Sequence, residues 1–206
     1  MNAFLTYLHQ GGFMMYPLIG CSILALGIIL ERMYTFRRAT AIDPEELLDE
    51  IKNAYKPGDI TAATKLMEDA HTPYARIFAR GLKNADRSPD TIELAMSQEA
   101  ANEIPTLENY LPGLRTIVTI SPLLGLLGTI AGMIASFKQV AAGGLSSPTA
   151  VMSGVSEALV STATGIGVAV IGLIAYNYFG NLVKRFVEDM EYYGTELTNF
   201  LTGRVA

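Results

Sequence analysis

Charge is scarce in this chain. Only 17% of its 206 residues are Asp, Glu, Lys or Arg, and half are apolar. Soluble domains of this size carry about a quarter charged residues. The shortage is also uneven. All 15 Lys and Arg fall within 32–115 or at Lys138, Lys184, Arg185 and Arg204, which leaves three uncharged blocks. There is no basic run to suggest nucleic acid, and the formal charge of −5 describes only the parts exposed to water. The single cysteine, Cys21, cannot make an internal disulfide; in its apolar run it reads as a small buried side chain. No glycine-rich phosphate loop, metal-ligand cluster or nucleophile elbow is present, so the chain is not read as an enzyme and needs no cofactor.

The uncharged blocks are what the chain has instead. Residues 13–30 form the first, 18 residues closed by Glu31-Arg32 and Arg37-Arg38. A signal peptide carries its positive charges before the apolar stretch, whereas here they follow it, so this reads as a retained transmembrane helix. The second runs between Arg115 and Lys138, 22 residues without charge, against roughly 20 needed to cross a bilayer core. The third is 26 residues, from Ala158 to Val183. The predicted fold is all-α: a polytopic membrane protein with three transmembrane helices at 13–30, 114–137 and 154–183, its long helices extending into a helical domain.

Small residues mark the second and third spans. Gly128 and Gly132 form a GxxxG, with Gly125 a turn before; Gly165, Ala169 and Gly172 recur in the third span. In lipid, helices associate through such small surfaces, because the solvent supplies no hydrophobic drive between them.

Between the first two spans, 31–113 changes character. Asp43-Pro44-Glu45-Glu46 is a helix start, with an N-cap, proline in the first turn and acids over the positive end of the dipole. Lys56-Pro57-Gly58 and His71-Thr72-Pro73 are breaks, and Ser88-Pro89-Asp90 is a further cap. The last of these helices is expected to continue into the second span, with kinks at Pro105 and Pro112-Gly113. Residues 1–12 read as a short interfacial segment in which His9 is an interfacial side chain and not a ligand. Residues 138–153 read as a short turn, and 184–206 as an amphipathic helix.

Charge placement sets an orientation. Arg32, Arg37, Arg38, Arg115, Lys184 and Arg185 flank the spans on one side and Lys138 alone on the other. The positive-inside rule makes the first side cytoplasmic. The N-terminus and the 138–153 turn are then periplasmic, and 31–113 and the C-terminus cytoplasmic.

Hydroxyls sit inside the paired spans. Thr129 lies about 12 Å in from Phe137 at helical rise, and Thr162 roughly 8–12 Å in from the head of the third span. A short turn makes these helices antiparallel neighbours, so the two hydroxyls fall at similar depth. Ser161 and Thr164 thicken the belt. Glu157 stands at the head of the third span, and an acid there is a functional candidate.

These residues resemble a known family. Pro122-Leu-Leu-Gly-Leu-Leu-Gly-Thr-Ile-Ala-Gly-Met-Ile, Glu157-Ala-Leu-Val-Ser-Thr-Ala-Thr-Gly-Ile-Gly-Val-Ala and Tyr176-Asn-Tyr-Phe look like the MotA/TolQ/ExbB proton-channel family. Length, three spans and the insert resemble its ExbB/TolQ branch. The resemblance implies a homopentamer in the bacterial inner membrane around two copies of an ExbD/TolR-like single-span subunit. It implies that ion flow drives motion in that complex. By motif, Thr129 and Thr162 match the pore-lining threonines, and Glu157 the glutamate at the pore entrance. One departure stands out: the family's proline a few residues after the Val-Ala of the third span is Ile171 here, which predicts a straighter helix.

The resemblance also accounts for a gap. A proton path needs groups that bind and release protons mid-bilayer, usually Asp, Glu or His. None lies in 116–137 or 158–183. The titrating carboxylate, an Asp by expectation, is then supplied by the partner helix, while this chain provides a polar collar. Protons are favoured over sodium because Ala163 leaves Thr162 without an adjacent second oxygen. A non-conducting membrane scaffold that assembles the partner is the competing reading. Which process is energised resides in the partner.

Overall fold

The computed structural model describes residues 11–56, 59–143 and 148–204. Among the described residues there are seven α-helices: α1 (Met15–Ala39), α2 (Pro44–Ala54), α3 (Thr61–Ala70), α4 (Pro73–Leu82), α5 (Pro89–Glu108), α6 (Leu111–Gly143) and α7 (Pro148–Thr202). An isolated bridge between Lys56 and Asp59 is the only β pairing among them. Most of the expected interfacial segment, His9 included, lies outside the described residues, as do 144–147 in the expected turn.

Three helical stretches, within Met15–Ala54, Pro89–Ala141 and Met152–Thr202, are long and apolar enough to cross a membrane. Their apolar side chains face outward: Ile23 and Leu24 on α1, Leu123 and Phe137 on α6, and Ile171 and Ile174 on α7 are each at least 60% exposed. Water penalises that arrangement and lipid does not. The fold is an all-α polytopic membrane protein.

The chain divides into two compact units. One comprises Met1–Glu31 with Tyr110–Tyr178, the other Arg32–Asn109 with Phe179–Ala206. Helices α1 and α7 contribute residues to both.

In the second unit, proline opens three helices where its missing N–H costs nothing: Pro44, Pro73 and Pro89. Asp43 caps α2 by accepting from the Glu45 amide at 3.0 Å, and Thr72 caps α4 by accepting from Ala75 at 3.2 Å. Ser88 makes no such bond; its hydroxyl pairs instead with that of Thr91 at 2.8 Å. The left-handed His71, φ 53°, ends α3. Helix α4 is the centre of this unit, burying Tyr74, Ala75, Ile77, Phe78, Ala79 and Leu82. Arg76 clasps Glu103 of α5 through two bonds of 2.5 and 2.6 Å. Tyr74 donates to Asp189 at 2.9 Å and packs its ring on Phe186, centroids 4.5 Å apart. Burial, and next the Asp189 carboxylate, push the Tyr74 phenol well above its ordinary pKa, so it stays a neutral donor. The buried Arg32 donates to the carbonyls of Thr106 and Leu107 at 2.9 and 3.1 Å, satisfying groups that the end of α5 leaves open.

One expectation is corrected here. The helix after Ser88 does not continue, kinked, into the second span; it stops at Glu108, and α6 starts at Leu111. The interruption is not at a proline. Pro105 lies within α5 and Pro112 in the first turn of α6, where it is tolerated. Tyr110 instead takes a left-handed φ of 62°, and its carbonyl accepts from the Leu114 amide at 3.0 Å as α6 begins.

Candidate ion pathway

Glycine sets how closely α6 and α7 approach. A Cβ built on Gly125 would stand 3.0 Å from the Thr162 Cα and 3.1 Å from the Ser161 carbonyl oxygen. On Gly132 it would meet the Gly154 carbonyl at 2.8 Å, and on Gly165 the Ser121 carbonyl at 2.5 Å. On Gly128 it would overlap the Ser161 hydroxyl, and on Gly172 it would press on Val118 Cγ2 at 2.8 Å. Backbone meets backbone along this seam, which is how glycine-rich membrane helices gain packing contact. Ser121 and Ser136, both buried there, return their hydroxyls to the carbonyls of Ile117 and Gly132 at 2.7 and 3.0 Å. Ala169 is buried on α7 as well.

Thr162 uses the close approach. Its hydroxyl donates across the seam to the Gly125 carbonyl at 3.0 Å. In a regular helix that carbonyl also accepts the amide of residue 129, so the Thr162 hydroxyl reaches the turn that carries Thr129. The Thr129 hydroxyl itself donates to Leu126 at 2.6 Å within its own helix. Both threonines are partly exposed, and their neighbours one turn away are exposed and apolar: Leu126 and Met133 around Thr129, Leu159 and Ile166 around Thr162.

Helix α1 covers the other flank. Its Cys21, Ala25, Ile28 and Ile29 pack with Leu114 and Ile117 of α6 and Val168, Ala175 and Tyr176 of α7. Thr164 precedes Val168 by one helical turn and therefore shares that side of α7; its hydroxyl donates to the Val160 carbonyl at 2.8 Å. Glu157 also turns from the threonines, since five residues rotate it about 140° around the axis from Thr162. Its carboxylate lies against Gly12, just before α1.

The sequence-selected residues thus separate into three places. Thr129 and Thr162 share the flank that α1 leaves open. Glu157 and Thr164 lie on the α1 side. Ser161 lies in the seam, fully buried, with no hydrogen-bond partner for its hydroxyl among the described residues. Gly12 belongs to no motif, so nothing in the sequence marks it. Ser161→Ala removes an unpaired buried hydroxyl, so the protein is expected to gain stability, by up to about 1 kcal/mol. Thermal unfolding of the purified protein in detergent checks it, and a loss of more than that would mean the hydroxyl is satisfied.

Comparison with known proteins agrees with this architecture. Residues 69–192 match the MotA/TolQ/ExbB proton channel family. That match takes in α4, α5, the whole glycine seam, Thr129, Glu157 and Thr162. The ExbB-like 3 protein of Synechocystis sp. is 37% identical over 177 residues, 85% of this chain and 84% of its own. The Tol-Pal system protein TolQ of Haemophilus influenzae is 28% identical over 196 residues, 90% of this chain and 84% of its own. The biopolymer transport protein ExbB of Xanthomonas campestris is 26% identical over 151 residues, covering 73% and 60% respectively. A multi-pass inner-membrane protein with this seam and these relatives belongs to the MotA/TolQ/ExbB proton channel family, in its ExbB/TolQ-like branch.

Proposed function

We propose that this chain is the channel subunit of an inner-membrane motor that converts the proton motive force into mechanical work for biopolymer transport. The observation that carries the reading is the Thr162 hydroxyl bonded to the Gly125 carbonyl, one turn from Thr129, on the flank that α1 leaves uncovered. Hydroxyls among exposed apolar side chains gain nothing from lipid, but they suit a protein surface that meets another polar group in the bilayer.

The polar group comes from a partner. Neither paired span of this chain carries an Asp, Glu or His between Glu157 and Lys184 or between Arg115 and Lys138. An ExbD/TolR-like single-span subunit supplies a membrane carboxylate, an Asp by expectation. Five copies of this chain surround two of the partner. Against the threonine collar the carboxylate is poorly solvated, an environment in which its neutral form is within reach and protonation can be reversible. Thr129 and Thr162 orient water and hydrogen-bond the carboxylate. Glu157, near the far end of α7 from the basic Lys184-Arg185 pair, is the acid at the entrance. Lysine and arginine placement puts the N-terminus in the periplasm and the C-terminus in the cytoplasm. Thr164, on the α1 side, and Ser161, in the seam, back that wall from within the protein, and lipid covers the remaining apolar face.

The transported ion is the proton. With the complex reconstituted in vesicles, a pH gradient is expected to dissipate in sodium-free buffer. Sodium flux with the pH gradient intact would mean the sodium-driven form of the motor. No flux of either ion through an intact complex would leave a scaffold.

A further inference from the structure

Glycine at position 12 is conformationally and sterically fixed. Its φ is +68°, a left-handed torsion that side-chain-bearing residues adopt at a cost. Its carbonyl accepts from the Met15 amide at 3.1 Å, so it closes the turn that starts α1. A Cβ placed on it would overlap the Glu157 carboxylate oxygen Oε1 and come within 2.5 Å of the carboxyl carbon. The neighbouring Gly11 faces the same stretch of α7, where its Cβ would meet Val160 Cγ1 at 3.3 Å. Met14, two residues on, reaches the seam, its Cβ 3.3 Å from the Cβ position of Gly128. The start of α1 is therefore seated on α7 at the level of Glu157, and the seat has no room for a side chain.

We infer that Gly12 is a positioning residue for Glu157: the bare turn before α1 is the surface against which this carboxylate is held. The inference rests on the reading of Glu157 as the entrance acid. It adds that its placement is dictated from α1 and not from the threonine flank. Two effects would follow any substitution at position 12, and they separate. A side chain that tolerates the left-handed torsion relieves the backbone but still strikes the carboxylate. Shortening Glu157 relieves the collision but not the torsion.

The test uses the complex purified with its single-span partner. Gly12→Asn supplies a residue suited to positive φ that still carries a Cβ; Gly12→Ala carries both penalties. Both are expected to lower the thermal midpoint of the complex, and Glu157→Ala in the Gly12→Asn background is expected to restore it to that of Glu157→Ala alone. Such non-additivity is the signature of direct contact. In proton-flux assays Gly12→Asn is expected to lower the rate several-fold and displace its pH profile, and the double variant is expected to conduct no worse than Glu157→Ala alone. A wild-type midpoint for Gly12→Asn, or a double variant with a midpoint or flux below that of Glu157→Ala alone, would overturn the inference. If Glu157→Gln conducts as wild type, the entrance-acid reading fails. If Glu157→Gln is impaired while the two positions stay uncoupled, the positioning role alone fails.

Discussion

Thr162→Val is expected to leave the complex assembled and to stop it conducting. Valine keeps the branched shape and removes one hydroxyl, so the packing against Gly125 survives. What is lost is the 3.0 Å bond to the Gly125 carbonyl. Interhelical bonds of this kind average only about 0.6 kcal/mol in membranes, too little to undo a seam built from backbone contact. The carbonyl keeps its own helical partner, so it is not stranded. Proton transfer responds differently. A path that relies on this oxygen to orient water or the partner carboxylate faces a methyl group instead, and each ~1.4 kcal/mol added to the barrier is a tenfold loss of rate. The expected result is a fall in flux of at least about tenfold with normal co-purification of the partner. Thr162→Ser, which restores the oxygen, is expected to recover much of it. A scaffold would tolerate valine without consequence.

Gly165→Ala is expected to do the reverse and damage assembly itself. Its Cβ would sit 2.5 Å from the Ser121 carbonyl oxygen and 3.2 Å from the Gly125 Cα. Neither neighbour is a flexible side-chain tip, so α6 and α7 must separate along the seam. Overpacking of a tight core costs about 1–3 kcal/mol, and here separation also stretches the bond from Thr162 to Gly125. The control is two residues away: among the described residues nothing lies within 4 Å of a Cβ on Gly167. Gly167→Ala is expected to be neutral, or stabilising by roughly 0.5–1 kcal/mol through helix propensity. Thermal unfolding in detergent and recovery of the complex by size exclusion distinguish the pair. Equal behaviour of the two variants would mean that the seam is not the tight interface described.

Some of this was legible in the sequence for a simple reason: a bilayer forbids charge over a fixed length, so three uncharged blocks announced three helices. Capping chemistry at Asp43-Pro44 likewise marked a helix start, because the N-cap satisfies a specific amide; Thr72-Pro73, legible as a break, also caps the helix that follows. The break before α6 was not legible. Proline was the visible suspect, yet Tyr110 takes a left-handed torsion that no residue preference announces. Depth put Thr129 and Thr162 at similar levels, whereas Thr162 lies beside Gly125, one turn from Thr129, and depth says nothing of rotation. The five-residue step from Glu157 to Thr162 already implied different flanks. Which flank α1 covers depended on packing of Ala25, Leu114 and Ile117, and that no single stretch encodes. Ser161 was grouped with the polar belt as a hydroxyl, whereas its position opposite Gly128 buries it in the seam.

The central claim is a division of labour, with this chain supplying the hydroxyl collar and a partner helix the group that titrates. Proton flux into vesicles holding the chain alone, the chain with its single-span partner, and the same complex with the partner's membrane carboxylate neutralised measures it most directly. The account predicts flux from the intact complex and none above background from the other two. Rapid flux through the chain alone would contradict it, because the pathway would then need no carboxylate beyond those in this sequence.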